Sequence, residues 1–206
     1  MRIVILVEGK TEQAFKPYLI AYLRKRLAGP MPKLDFHKYD GRIPCGEKLK
    51  RIVEKHLNEG KSPADAVIAL TDVYTGSIPP DFQTGEDAKR KMREWVGGER
   101  RFHPHVALHD FEAWLLSYWE RIKEVTGTNR KAPRSSPEKV NHGNPPAHRL
   151  QEIFRTGSKT KAAYIKARDA GRILRDQDLS LAVDACPELK AFVDRIIELC
   201  EKTQVS

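Results

Sequence analysis

The chain opens with an apolar, largely β-branched run from Ile3 to Val7 that stops abruptly at Glu8 and Gly9. A continuous apolar run of this length is typical of a parallel strand buried on both faces. Gly9 allows a sharp turn at the carboxyl end of the strand, and a helical pattern follows from about Glu12. Ligands in open α/β sheets bind beyond the carboxyl ends of the strands. Because a carboxylate at that position has no packing role, Glu8 is the first candidate for chemistry.

Strand and helix patterns alternate through the first half of the chain. Apolar residues recur every three to four positions in the helical stretches, for example at Leu49, Ile52 and Val53. The predicted strands are Arg2–Val7, Lys33–Tyr39, Ala66–Thr71 and Phe102–Leu108. The predicted helices between them are about Glu12–Leu27, Gly46–Asn58 and Gly85–Val96. This alternation predicts an α/β fold with right-handed βαβ connections and a mostly parallel four-stranded sheet flanked by helices.

The second half of the chain has a different pattern. A helix is predicted directly after the fourth strand, from His109 onward. The stretch from Thr126 to Pro146 is rich in Thr, Pro, Ser, Asn and Gly, which predicts a long exposed loop. Further helices are predicted at about Ala147–Phe154, Lys161–Ala167, Ala170–Asp176 and Pro187–Glu201. We therefore expect a single domain over residues 1–206, with an α/β core at 1–125, the loop at 126–146 and a helical extension at 147–206.

The charge balance favours a polyanionic partner, most simply nucleic acid. Lys and Arg outnumber Asp and Glu by 37 to 28, which leaves a formal charge of +9. The alternative is a basic surface that is merely solvated. Three widely separated cysteines without metal-ligand spacing indicate a reducing cytoplasm, and no apolar run is long enough to span a membrane. The candidates for phosphate contact are Lys10, Arg90, Lys91, Arg93, Arg100, Arg101, Arg130, Lys131 and Arg134.

Acidic side chains follow three of the four predicted strands. Glu8 ends the first strand, with Glu12 four residues later, and Asp72 ends the third. Asp110 and Glu112 follow the fourth strand. Because the carboxyl ends of parallel strands share one edge, these carboxylates should converge. Clustered carboxylates repel one another unless a cation neutralises them, and an all-oxygen set suits Mg²⁺ or Mn²⁺, which support phosphoryl transfer.

Each of these residues also has a purely structural interpretation. Glu12 could complement the dipole at a helix N-terminus, and Asp72 could form a turn. Asp110 could cap the helix that follows it. Lys166 could neutralise a scissile phosphate or lie on a solvated helix face. The helical spacing of the tryptophans favours packing over base stacking for Trp95, Trp114 and Trp119.

The segment Val7-Glu8-Gly9-Lys10-Thr11-Glu12 resembles the first motif of TOPRIM domains, especially those of the overcoming-lysogenisation-defect (OLD) nucleases. Over nearly its full length the chain is similar to a small family of TOPRIM-like bacterial proteins. Besides the first motif, the segments that carry this similarity are Asp72-Val73-Tyr74, His109-Asp110-Phe111-Glu112-Ala113-Trp114, Tyr164-Ile165-Lys166 and Cys186-Pro187. The resemblance implies a TOPRIM-like, Rossmann-like fold and Mg²⁺-dependent phosphodiester chemistry on DNA or RNA. It also implies an ATPase partner, in phage defence or genome maintenance.

The resemblance assigns roles to single residues. The glutamate of the first TOPRIM motif is a general acid/base or a metal ligand, which corresponds to Glu8. The second motif is normally Asp-x-Asp, but here it is Asp72-Val73-Tyr74 and lacks the second aspartate. Asp110 or Glu112 is the candidate replacement. The predicted catalytic residues are therefore Glu8, Glu12 and Lys166, and the predicted metal ligands are Glu8, Asp72, Asp110 and Glu112. The altered second motif favours the alternative function, a non-catalytic subunit that binds nucleic acid or an ATPase.

Overall fold

The structure, a computed structural model, describes residues 1–74, 80–140 and 144–202. Within these ranges four parallel strands form a sheet, and in chain order they are β1 (Arg2–Val7), β2 (Lys33–Lys38), β3 (Ala66–Asp72) and β4 (Phe102–Ala107). Their spatial order is β2-β1-β3-β4. The predicted strands are confirmed, because β1 matches in both bounds and each of the others ends within one residue of its predicted end.

Helices cover both faces of this sheet. Helix α1 (Lys10–Arg24) packs on one face through apolar residues spaced four positions apart. Helices α2 (Gly46–Asn58) and α3 (Gly85–Val96) pack on the other face and match their predicted bounds. Because successive strand residues point to opposite faces, β1 contributes alternate side chains to both cores.

Strands β1 and β3 lie side by side although β2 separates them in the sequence. The chain passes from β1 to β2 on one side and then crosses back over β1 to reach β3. Since the helices that follow β1 and β3, α1 and α3, lie on opposite faces, the chain leaves these two strands in diverging directions, and a crevice lies between their carboxyl ends. This crevice is a topological switch point, where open α/β sheets bind their ligands.

The second half of the described chain is helical and extends the core that α1 covers. Trp114, Phe154 and Phe192 are buried there together with the α1 side chains. Among the described helices, none combines the length and the apolar character that a membrane span requires. The helices are α4 (Glu112–Leu115), α5 (Trp119–Thr126), α6 (Pro146–Thr156), α7 (Lys166–Leu174), α8 (Ser180–Ala185) and α9 (Pro187–Lys202), with 3₁₀ turns at Leu116–Tyr118 and Pro137–Lys139.

The sequence predicted two separate helices, at Lys161–Ala167 and Ala170–Asp176, and this prediction is wrong. A single helix, α7, begins at Lys166, near the end of the first segment, and ends at Leu174, within the second, and residues 161–165 are not helical. The start of α7 is fixed by a buried aspartate in its first turn, because Asp169 Oδ2 accepts a hydrogen bond from the Ile165 N–H at 2.7 Å. The short helix α8 was not predicted by the apolar spacing.

The predicted exposed loop at 126–146 is partly buried, and the part between Thr126 and Glu138 is anchored in the core at both of its ends. At the first end, the Thr126 carbonyl accepts a hydrogen bond from the Lys159 N–H at 2.9 Å. At the other end, the Glu138 carboxylate accepts from Trp114 Nε1–H at 3.1 Å and from the N–H groups of the second and third residues of α9 at 3.0 and 3.3 Å. Glu138 therefore caps α9, a role that its sequence surroundings do not reveal. Residues 141–143 of this predicted loop lie outside the described residues.

Candidate active site

Two carboxylates lie at the switch point between β1 and β3. Glu8 follows β1 directly, and Asp72 is the last residue of β3. The Glu8 carboxylate accepts hydrogen bonds from the Thr71 hydroxyl and from the Asp72 N–H, with 3.3 Å between the Asp72 N and Glu8 Oε1. These bonds cross from strand to strand, so the sheet register, which places Val7 beside Leu70, fixes Glu8 relative to β3.

Two aspartates tie the segment after β4 to its neighbours. Asp72 Oδ1 accepts a hydrogen bond from the Phe111 N–H at 3.0 Å. Asp110 Oδ2 accepts from the Ala147 N–H at 3.1 Å, in the first turn of α6. Asp110 therefore caps α6, and Asp72 joins two segments rather than closing a local turn.

Glu112 is fully buried, with 0% of its surface exposed, at the start of α4. Neither of its carboxylate oxygens, nor Asp110 Oδ1, accepts a well-aligned hydrogen bond within the ranges that the structure describes, although Lys166 and Tyr164 lie close to Glu112. Its nearby cation is Lys166, whose Nζ lies 3.5 Å from Glu112 Oε1 and whose side chain is 58% exposed. The buried phenol of Tyr164 also faces Glu112. Because buried polar atoms are nearly always hydrogen-bonded, these oxygens can accept from a water or bind an ion in addition to their neighbours Lys166 and Tyr164.

Burial raises the pKa of every carboxyl group in the cluster. The pKa of Glu8 rises to about 7, chiefly because of burial, with repulsion from Glu12 adding to it. The pKa of Asp110 also rises to about 7, from burial and from the adjacent Glu112. Burial raises the pKa of Glu112, and burial together with neighbouring carboxylates raises those of Asp72 and Glu12. All five predicted acidic residues are thus brought into electrostatic contact with one another.

Two cavities adjoin this cluster. The first, about 440 Å³, lies over the end of β1 and the start of α1, and its walls include Glu8, Lys10 and Glu12. The second, about 370 Å³, lies beside α6, and its walls include Asp110 and Tyr164. Asp72 and Lys166 line both cavities. An aspartate and a lysine of the cluster are therefore accessible from either space.

The predicted phosphate-contact residues are distributed over several parts of the molecule. Lys10 lines the first cavity beside the carboxylates. Arg100 and Arg101 immediately precede β4, so they lie at the opposite edge of the sheet from the carboxylates. On α3, Arg93 is exposed, while Arg90 and Lys91 pair with Asp87 at 2.7 and 3.0 Å. Arg130 and Lys131 line a separate small cavity, and Arg134 is exposed.

Two residues of the site were given no role by sequence reasoning, although Tyr164 lies in a segment that carries the family resemblance. Thr71 donates a hydrogen bond to Glu8, and Tyr164 faces Glu112. The role of Thr71 follows from the strand register. Val7 pairs with Leu70, so the next residues, Glu8 and Thr71, lie side by side. The packing predicted for Trp114 is confirmed, because its ring lies 4.9 Å from Phe111 and is 1% exposed.

The donor set of the cluster consists of carboxylate oxygens, which are the ligands that Mg²⁺ and Mn²⁺ prefer. The oxygens of Glu112 and Asp110 that lack partners are available for such an ion. In the part of the chain that the structure describes, no three His, Cys, Asp or Glu side chains are already arranged to hold a metal ion. Like charges repel, which is a physical reason for these carboxylates to stay apart when no cation lies between them.

The fold and the site together define an α/β protein with a carboxylate cluster at its topological switch point. Residues 7–197 match the family described as "Domain of unknown function (DUF4276)", so the chain belongs to that family. No curated protein matches the sequence.

Solved structures share this fold over almost the whole chain. One is the C-terminal region of the OLD protein of Xanthomonas campestris pv. campestris, with 15% identity and a TM-score of 0.52, covering 99% of this chain and 98% of that one. Another is the C-terminal region of the Burkholderia pseudomallei OLD protein, with 16% identity and a TM-score of 0.54, covering 98% of each chain. At this identity the similarity establishes the fold alone.

Proposed function

We propose that this chain is a metal-dependent phosphodiesterase that cleaves DNA or RNA at the carboxylate cluster. The observation that carries the proposal is the convergence of Glu8, Glu12, Asp72, Asp110 and Glu112, with raised pKa values and partnerless oxygens, beside two cavities. The TOPRIM-like first motif and the fold shared with the OLD C-terminal regions support a nuclease of the TOPRIM type. The charge of +9 supports a nucleic-acid substrate.

Mg²⁺ or Mn²⁺ fits the oxygen donors of this cluster, and Glu8, Asp72, Asp110 and Glu112 would hold it. When bound, such an ion acts as a Lewis acid that stabilises the charge developing in phosphoryl transfer. Because no three of these side chains already surround a common point, we expect them to move when the ion binds. These side chains would hold the ion in their charged forms, because its charge would offset both the burial and the repulsion that raise their pKa values.

The chain's own residues supply proton transfer and positioning. Glu8 is held by Thr71 and by a backbone N–H, and if the other carboxylates hold the ion, its pKa of about 7 suits a group that exchanges a proton near neutral pH. Glu12 helps to keep that pKa high. Burial alone would lower the pKa of Lys166, but Glu112 and the neighbouring carboxylates raise it, so its half-exposed ammonium stays charged to bind a phosphate oxygen.

The test is cleavage of supercoiled plasmid and of single-stranded RNA in Mg²⁺ or Mn²⁺. We expect Glu8→Gln and Asp72→Asn to abolish the activity, and a chelator to do the same. Glu54→Gln, at an exposed position of α2, is the matched control and should retain full activity. Cleavage that survives both cluster substitutions would place the chemistry elsewhere. Absence of both cleavage and Mn²⁺ binding by calorimetry would refute a catalytic role for this chain.

The second candidate function is a non-catalytic subunit that binds nucleic acid or an ATPase in the cytoplasm. Two observations favour it, namely Tyr74 in place of the second aspartate and the absence of a ready metal site among the described side chains. The sequence resemblance to ATPase-associated proteins supports the same candidate. Salt-sensitive nucleic-acid binding that is indifferent to Mn²⁺ and to Glu8→Gln would identify this function.

A further inference from the structure

A third cavity, of about 200 Å³, lies between α6 and the loop that follows α5. Its apolar wall consists of Leu116 and Ile153, both 3% exposed, and of the half-buried indole of Trp119. The sequence favours a packing role for Trp119, yet part of this ring faces an open space. An aromatic ring that is packed on one side and open on the other is suited to stacking with a planar ligand.

The other walls of this cavity are formed by Ala132, Pro133 and cationic side chains. They include Arg130 and Lys131 from the loop and Arg149 from α6. Glu152 partly balances them through its ion pair with Arg130, at 3.0 Å and about half exposed. The Nε of Arg149 is buried and has no hydrogen-bond partner among the residues that the structure describes. A buried donor without a partner is costly, so the guanidinium is ready for an acceptor from a ligand.

We propose that this cavity binds one nucleotide of a single-stranded nucleic acid, with its base stacked on Trp119 and its phosphate held by Arg149, Arg130 and Lys131. The inference rests on the proposed function. It adds a second site, separate from the cleavage site, that binds the single-stranded nucleic acid. Bases of a duplex are already stacked and paired, whereas an unpaired base offers its face to an aromatic side chain. A volume of 200 Å³ is smaller than that of most ligand pockets, which suits a single base.

The position of the cavity connects it with the carboxylate cluster. Helix α6 begins beside Asp110, which accepts a hydrogen bond from the Ala147 N–H. Arg149 follows two residues later and Ile153 one turn beyond that, at a rise of about 1.5 Å per residue. His148 and Gln151, on the same helix, line the cavity that contains Asp72. A strand bound at Trp119 therefore needs only a short path along α6 to reach the carboxylates.

The first test measures binding of fluorescently labelled oligo(dT) and oligo(rU), about 15 nucleotides long, by anisotropy in the presence of a chelator. We expect Trp119→Leu to weaken binding about tenfold, the size typical of one lost base–aromatic stack. Trp95→Leu is the matched control, because Trp95 is equally half-buried but packs on the opposite face of the sheet. Unchanged binding by Trp119→Leu, or equal loss in both variants, would overturn the proposal, as would tighter binding of a duplex of the same length.

The second test separates the phosphate contact from stacking and from folding. Arg149→Gln should lower the slope of log affinity against log salt concentration by about one, whereas the exposed control Arg51→Gln, on α2, should leave it unchanged. If the wild type binds oligonucleotide through Trp119 but cleaves nothing, the nuclease proposal fails and this one stands. If the wild type cleaves, and Trp119→Leu alters neither binding nor KM, this proposal fails and the nuclease stands.

Discussion

Glu8→Gln should stabilise the protein in the absence of metal, but only at neutral and alkaline pH. The folded chain raises the pKa of Glu8 from 4.5 to about 7, chiefly by burial, so the folded state holds this proton more tightly than the unfolded state. The stability contributed by the protonated form is fully present below about pH 4.5 and is lost as pH rises through about 7. Glutamine keeps the shape and a carbonyl acceptor for Thr71, without a charge to bury.

The size of this effect follows from the pKa difference. A pKa of about 7 against 4.5 corresponds to about 3 kcal/mol. Solvent screening of a half-buried group and the weaker hydrogen bonds of an amide reduce the net gain to about 1–2 kcal/mol. For a chain of 206 residues this gain raises Tm by about 3–6 °C at pH 8.

Thermal and urea unfolding with a chelator at pH 5 and pH 8 would measure the difference. We expect Glu8→Gln to match the wild type at pH 5 and to exceed it at pH 8, while Glu54→Gln tracks the wild type at both. Saturating Mg²⁺ should then reverse the order at pH 8, because ligands bound to the folded state add stability. A Glu8→Gln protein that is less stable than the wild type at pH 8 without metal would refute the reasoning.

Three further outcomes are expected. Lys166→Met should lower the cleavage rate by about 10²–10³-fold, the cost of removing one transition-state charge contact. The control Lys48→Met, at an exposed position, should leave the rate unchanged. Equal rates for the two variants would exclude Lys166 from the mechanism. Glu138→Gln should lower the free energy of unfolding by about 2–4 kcal/mol, measured in urea, because three N–H donors lose a charged acceptor, and a loss below 0.5 kcal/mol would contradict that role. Gly157→Ala should destabilise the protein by more than about 2 kcal/mol, since the added Cβ would lie 2.9 Å from a backbone oxygen. At Gly171 nothing lies within 4 Å of the corresponding atom, so Gly171→Ala should stabilise α7 by about 0.5–1 kcal/mol. Similar melting curves for the two variants would refute this contrast.

The parts of the fold that were predictable are those that local pattern determines. The run from Ile3 to Val7 is buried on both faces, so its composition alone specified β1 and its end at Glu8. Parallel strands place their carboxyl ends together, so the convergence of Asp72 and Asp110 with Glu8 followed from topology. The roles of these groups are still predictions, because they depend on an ion that sequence spacing cannot position.

The parts that were not predictable depend on contacts between distant segments. The start of α7 is set by Asp169, whose effect on Ile165 cannot be distinguished in sequence from that of any polar residue in a helical turn. The burial of Glu138 depends on Trp114 and on the start of α9, about 50 residues further along the chain. A polar composition predicted exposure for this segment, and tertiary hydrogen bonds overrode that tendency.

The anchoring of the loop between Thr126 and Glu138 has a consequence for recognition. Both ends of this segment are hydrogen-bonded to the core. Arg130 and Lys131 therefore lie in a segment whose backbone lost much of its conformational freedom when the protein folded. Ordering a free residue costs about 1–2 kcal/mol, and a span that is already ordered does not incur that cost again when a ligand arrives. Lengthening the loop with glycines between Arg130 and Ser136 would keep every side chain that contacts the ligand. It would nevertheless lower the affinity for a single-stranded nucleic acid, through entropy alone.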